Sequence, residues 1–287
     1  MMIVVVLALL QTALGVEARQ APLDHYEWMA VAPIVVGATS LGENGKFVEI
    51  EITHRIRGDV KVGAMLSIDV KHTNRNRSRT VNPRGLRLLE GDSFLLLLSP
   101  SPEHKSRKHS YRVVRGVAGA RELPLEGADA VVQPLQVLAA IQDLDDDGRR
   151  WDEMWRLFEE DSPLLIETSL AQSIKFSRVR ADHLDVVRPL LEHPEADIRR
   201  RTAEIIRLIV KRTGAQNLED GASVRNELVS TARRDPAIDV RAAATEALSV
   251  FDGSVIDDIL REIAETDPEQ MVRYIAQKAL IERRPGS

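Results

Sequence analysis

The apolar residues of this chain keep two different periods. From about residue 19 to 128 they alternate with polar ones. Over 47–56, Val48, Ile50, Ile52 and Ile56 fall on one side and Glu49, Glu51, Thr53 and Arg55 on the other, the period of two of a half-buried strand. Over 64–70, Leu66, Ile68 and Val70 repeat the pattern. The runs 34–41 and 94–98 are continuously apolar, and 111–114 is a fifth short stretch. Asn44-Gly45 separates the first two runs with the strongest short hairpin signal, and Gly91-Asp92 introduces 94–98. His54 lies on the apolar side of its strand, which predicts a satisfied core histidine. Five short strands in about a hundred residues predict a small closed or partly closed β-barrel of the OB type.

Beyond about residue 150 the period lengthens. A phrase recurs: His193-Pro194-x-x-x-Ile198-Arg199, Asp235-Pro236-x-x-x-Val240-Arg241 and Asp267-Pro268-x-x-x-Val272-Arg273. Each aliphatic residue opens a stripe at offsets 0, +4, +7 and +8. The stripes are Ile198, Thr202, Ile205, Ile206; Val240, Ala244, Ala247, Leu248; and Val272, Ala276, Ala279, Leu280, one face of a 3.6-residue helix. Proline ends one helix and tolerates the first turn of the next. Eight residues before each proline stand Val186, Leu228 and Leu260 on a preceding helical run. The unit is helix, Pro-marked turn, helix. Ala244 is expected to pack against a neighbouring helix; Ala242, about 200° around, is expected to face away.

These units resemble HEAT repeats in the Asp-Pro turn and the Val-Arg pair. The resemblance implies an α-helical solenoid in which Asp235, Arg241, Asp267 and Arg273 form a hydrogen-bonded ladder, with His193 in the Asp place of the first copy. It extends over about 150–283 if a degenerate unit is included, with 151–158 and 162–176 as helices and Glu167 in the Arg position. Terminal repeats are often atypical because they cap the stack. Offset +11 runs Ile209, Phe251, Arg283, so the last helix turns polar. The order of runs in the barrel region, with Arg57-Gly58-Asp59 between strands, resembles netrin-like modules related to tissue inhibitors of metalloproteinases. Those inhibitors chelate their target's zinc through an N-terminal cysteine, and this chain has none. The fold expected is thus multidomain β + α: a small five-stranded OB-like barrel followed by a HEAT-type solenoid.

The first eighteen residues differ from both regions. An unbroken apolar run, 3–10, precedes Val16-Glu17-Ala18, a short hydrophobic core with a small-x-small cleavage site. The run is far short of the ~20 residues that span a bilayer. The division expected is a signal peptide at 1–18, a barrel at 19–128, a helix and acidic linker at 129–149 and a solenoid at 150–287. Export without cysteine excludes a disulfide framework and thiolate zinc, and suits a bacterial periplasmic or extracellular address.

Charge divides the chain as well. Residues 19–128 carry 17 Lys+Arg against 12 Asp+Glu, while the rest, Glu17 set aside, carries 22 against 31. Lys71, Arg75, Arg77 and Arg79 lie in one basic stretch, and Lys105, Arg107 and Lys108 in another. Such a surface would bind a polyanion, nucleic acid or envelope polysaccharide, though single-strand binders add aromatic platforms that this region barely supplies. Asp143, Asp145 and Asp147, followed by Gly148, satisfy the opening of a calcium loop, with Met154 where the closing Glu belongs. An acidic helix-end linker is the competing reading. No H-E-x-x-H, G-x-S-x-G or phosphate-cradling loop is present. The expectation is an exported non-enzymatic protein-binding or scaffolding protein without a cofactor, the calcium loop aside. A polyanion-binding module and a hydrolase with an unrecognised site are the alternatives.

Overall fold

The computed structural model describes residues 25–44, 47–69, 88–101, 110–114, 120–124 and 126–283. The chain divides into two compact units, Met1–Gln142 and Asp143–Ser287.

In the first unit, β1 (Ile34–Asn44), β2 (Phe47–Arg57), β3 (Met65–Asp69), β4 (Ser93–Pro100) and β5 (Ser110–Val113) close a barrel in the order β1-β2-β3-β5-β4-β1. Of these pairings, among the described residues, only β3–β5 is parallel. Asn44 pairs with Phe47 at the hairpin; Gly45, Lys46 and Val70 lie outside the described residues. Val36, Ala38, Ile50, Ile52, Ile68, Leu96 and Leu98 fill the interior. Val35, Leu95 and Leu97, on the opposite face, are equally buried. Burial on both faces is why β1 and β4 read as continuous apolar runs rather than as alternation. Helix α1 (His25–Met29) lies against α2 (Ala128–Gln142), which packs on β2 with Leu135 and Leu138 fully buried.

Two features escaped sequence reading. Strand β6 (Ala120–Glu122) pairs with Phe94–Leu96 of β4, on the edge whose other end, Leu98–Pro100, pairs with β5. The two strands together act as one interrupted fifth strand. In β2, Gly37 pairs with His54 but Ala38 pairs with Ile52, so Thr53 is bulged out. That bulge corrects the expectation for His54. Its ring is half-buried, with Nδ1 2.9 Å from Thr53 Oγ1 and Nε2 3.5 Å from the Asp129 carboxylate.

The second unit is a stack of helix pairs. Its first-position elements are α3 (Asp147–Arg156) with a 3-10 turn Leu157–Glu159, a broken segment at 181–192, α7 (Gly221–Arg234) and α9 (Ser254–Thr266). Its second-position helices are α4 (Pro163–Phe176), α6 (Ala196–Thr213), α8 (Ile238–Leu248) and α10 (Gln270–Glu282), each in contact with the next. One continuous core runs from Phe158 to Ala279. Every stripe residue named above is buried except Leu280, which is half-buried.

The structure changes three expectations here. The run carrying Val186 is not one helix but a 3-10 turn Ala181–His183, a four-residue helix α5 (Leu184–Val187) and a second 3-10 stretch Arg188–Glu192. Pro189 cannot donate a backbone hydrogen bond, and Val187 is fully buried where Val186 is only half so. Ala242 and Ala243 are buried, at 6% and 8% exposure, because α8 has α6, α7 and α10 around it. Finally, α4 begins at Pro163 itself, whereas α6, α8 and α10 begin two residues after their prolines. Ile166, not Glu167, therefore stands at the Arg position, and Glu167 faces Arg201 at 3.5 Å.

Candidate binding surface

The joints between helix pairs begin at the prolines. His193, Asp235 and Asp267 are each held extended, with ψ of 143°, 132° and 133°, as a residue before proline must be. Asp235 Oδ1 then accepts the Ala237 N–H at 2.9 Å, and Asp267 Oδ1 accepts the Glu269 N–H at 2.8 Å. His193 does the same with Nδ1, accepting the Glu195 N–H at 3.1 Å. A ring nitrogen thus takes the place of a carboxylate oxygen as the turn acceptor.

From the first turn of each following helix an arginine reaches across. Arg199 donates from Nε and Nη2 to the two oxygens of Asp235 at 2.7 and 2.9 Å. Arg241 grips Asp267 likewise at 2.9 and 3.2 Å. Their third nitrogen braces their own turn: Arg199 Nη1 to the His193 and Pro194 carbonyls, Arg241 Nη1 to the Asp235 carbonyl. Arg273 Nη1 donates to the Asp267 and Pro268 carbonyls at 2.7 and 2.8 Å. Burial pushes the Asp235 and Asp267 carboxyls up, but the arginine hydrogen bonds, the turn N–H and nearby positive charge outweigh it and hold both below the usual carboxylate range. The same bonds hold Arg199 and Arg241 above theirs.

Further arginines, unmarked by any motif, fix the stack. Arg188 donates to Glu227 at 2.7 Å, Asp220 at 3.0 Å and Ser223 at 2.8 Å, fastening the broken segment to α7. Between them lies an open cleft of about 620 Å³ lined by Asp185, Arg188, Glu192, Ser230 and Arg234 among others. Arg283 bonds Asp257 and the Ser249 and Phe251 carbonyls, pinning the end of α10. His183 is stacked on Trp155 with ring centroids 3.4 Å apart. Burial pushes its pKa down to about 4, against the opposing charge of Asp182.

Two acids of the linker are held by their neighbours. Asp147 pairs with Arg150 and Arg178 at 3.4 and 3.0 Å, and Asp146 caps α3 through the Arg149 N–H. Met154, at the closing position, is buried. Among the described residues no group of three acidic or histidine side chains could hold a metal. Lys71, Arg75, Arg77, Arg79, Lys105, Arg107 and Lys108 lie outside the described residues, as do 1–18 and the histidines at 104 and 109. The outward side of β2 and β3 carries Glu49, Glu51, Met65 and Ser67, with Ser67 Oγ donating to Glu49. No aromatic ring stands among those four residues.

A barrel followed by a stack of helix pairs defines the class. A family model described as HEAT repeats matches residues 184–281, which makes this region similar to a helical repeat protein. No curated protein matches the chain. Among solved structures, the crystal structure of an engineered protein is 19% identical, covering 55% of this chain and 76% of its own, with a TM-score of 0.38, too loose a likeness to carry an argument. Among the described residues no helix is long and apolar enough to cross a membrane.

Proposed function

We propose that this is an exported, non-enzymatic scaffolding protein that binds another protein through its helical repeats. The observation that carries the reading is the joint Arg199–Asp235, repeated as Arg241–Asp267, inside a region similar to HEAT repeats. Ion pairs of this kind fix the pitch of a stack and give it a stable surface, and such surfaces serve chiefly for recognition. Export is supported by the pattern of the first eighteen residues. The acidic β2–β3 side and the lack of rings there argue against a polyanion on that face.

The test is capture by the immobilised full chain from envelope extracts, followed by cross-linking mass spectrometry. Cross-links from a captured protein onto 143–283 support the reading. Cross-links confined to the barrel, or hydrolytic turnover by the pure protein, overturn it. N-terminal sequencing of the exported chain should begin at Arg19, and an intact Met1 there would refute cleavage.

A further inference from the structure

The ladder is unbalanced at its two ends, and in opposite senses. Three residues before each second-position helix stand Glu160, His193, Asp235 and Asp267; at the fourth residue of that helix stand Ile166, Arg199, Arg241 and Arg273. Arg199 and Arg241 each reach forward to the acid of the next pair. Where the arginine is missing, at Ile166, the next acid is missing too, and His193 takes its place. Inside the stack, then, cation and anion are present together or absent together.

Arg273 breaks that rule. Its Nη1 is seated on the Asp267 and Pro268 carbonyls as Arg199 is seated on its own turn. Its Nε and Nη2, the nitrogens that grip a carboxylate in the other two copies, have no partner among the described residues. Glu160 breaks it from the other side. Its backbone is extended, φ −81° and ψ 152°, like that of Asp235; its side chain is exposed and in no ion pair among the described residues.

The face of α10 agrees. Ala203 and Thr245, eighth in their helices, are fully buried, whereas the equivalent Gln277 is exposed. On the same side Tyr274 and Ile281 are exposed too, Tyr274 at 64%.

We propose that a second copy of this chain stacks on α10 head to tail, with Arg273 of one copy gripping Glu160 of the other. The joint would repeat the geometry of Arg199 with Asp235. Because one end donates and the other accepts, the contact is heterologous and adds further copies in one direction. The inference goes beyond the scaffolding reading and needs only the repeat geometry; partner capture can fail while self-association holds, and the reverse.

The test is the weight-average mass of the full chain by sedimentation equilibrium over a range of concentrations. The parent should rise above the 32.0 kDa of one chain as concentration increases, and fall back as salt is added. Arg273→Glu and Glu160→Arg should each stay at one-chain mass, and Glu160→Arg, at an exposed side chain in no ion pair among the described residues, should melt like the parent. An equimolar mixture of the two variants should rise above one-chain mass, since Arg273 of one variant then meets Glu160 of the other. A parent that remains monomeric up to its solubility limit overturns the proposal. So do variants that associate as the parent does, or a mixture that stays monomeric.

Discussion

Arg199 and Asp235, 36 residues apart, meet through two parallel hydrogen bonds with both side chains nearly out of solvent, at 12% and 7% exposure. A bidentate guanidinium–carboxylate pair fixes direction as well as distance. Arg241 and Asp267 repeat the arrangement over 26 residues, at 9% and 6% exposure. The shorter interval reflects the shorter connection and helices of that repeat, so the joint keeps its geometry while the chain between varies. Lysine could not substitute, because one nitrogen cannot hold both carboxylate oxygens and the turn carbonyl together.

Breaking that pair from one side should be costly. Arg241→Met keeps much of the side-chain volume but leaves the Asp267 carboxylate buried without its cation, a change worth about 3–5 kcal/mol. Adding Asp267→Asn should recover part of the loss, since the amide oxygen can still accept the Glu269 N–H. Urea unfolding of the solenoid, followed in the parent and both variants, checks the order. Equal stability of parent and Arg241→Met would remove the joint from any account of the fold.

Packing at the centre of the stack gives a second test. Ala244→Leu should overpack the space among the helices around α8 and lower stability by about 1–3 kcal/mol. The matched control is Ala222→Leu on the exposed side of α7, expected within about 0.5 kcal/mol of the parent. Ala242 cannot serve as the control, being itself buried. Thermal melts that move together for Ala222 and Ala244 would contradict the packing described.

In the barrel, two glycines separate backbone strain from crowding. Gly58 has φ of +93°, and a Cβ there would stand 2.8 Å from Ile34 Cγ1 and 2.9 Å from the Pro33 carbonyl oxygen. Gly63 has φ of +79° with nothing within 4 Å of such an atom. Gly63→Ala should therefore show only the cost of the left-handed conformation, about 1–2 kcal/mol. Gly58→Ala should exceed it, because backbone atoms cannot move aside. Equal losses in the barrel's unfolding transition would show that the contact is relieved.

Acid should weaken the solenoid in two separate windows. Burial against Trp155 lowers His183 to about 4 from 6.5, so between those values the unfolded chain binds a proton that the folded one refuses. Its contribution is complete above about pH 6.5 and is lost as pH falls toward 4. Arg180, Asp182 and Asp152 are the charged groups acting on it. The depressed Asp235 and Asp267 act lower, below the ordinary carboxylate value of 3.8. His183→Asn should flatten the decline of melting temperature between pH 6.5 and 4 and leave the acid limb untouched. Parallel profiles for parent and variant would show that His183 does not titrate as described.

Much of this was legible in the sequence, for reasons that are local. The stripes of α6 and α8 and the alternation of β2 are periodic, and the prolines mark the turns without help from the rest of the chain. What escaped reading depended on neighbours. Ala242 is two positions from Ala244 and should point away on a two-sided helix, but α8 is covered on three sides. His54 follows the apolar alternation until a bulge that its own strand does not announce. Ala120–Glu122 has too few residues for any period, and its pairing is supplied entirely by β4. Arg188 carries no motif, yet it joins three residues that lie 32 to 39 positions later.

The broken segment at 181–192 fills the place of a full helix with two 3-10 pieces and a single four-residue helix. Such turns have poorer hydrogen-bond geometry and no long run in which to share it. Leu184, Val187, Leu190 and Leu191 keep it seated, and its tie to α7 runs through the side chain of Arg188. Amide deuteration should therefore appear at the eleven non-proline positions of this segment well before it reaches the neighbouring helices, marking a hinge of low local stability in an otherwise cooperative array.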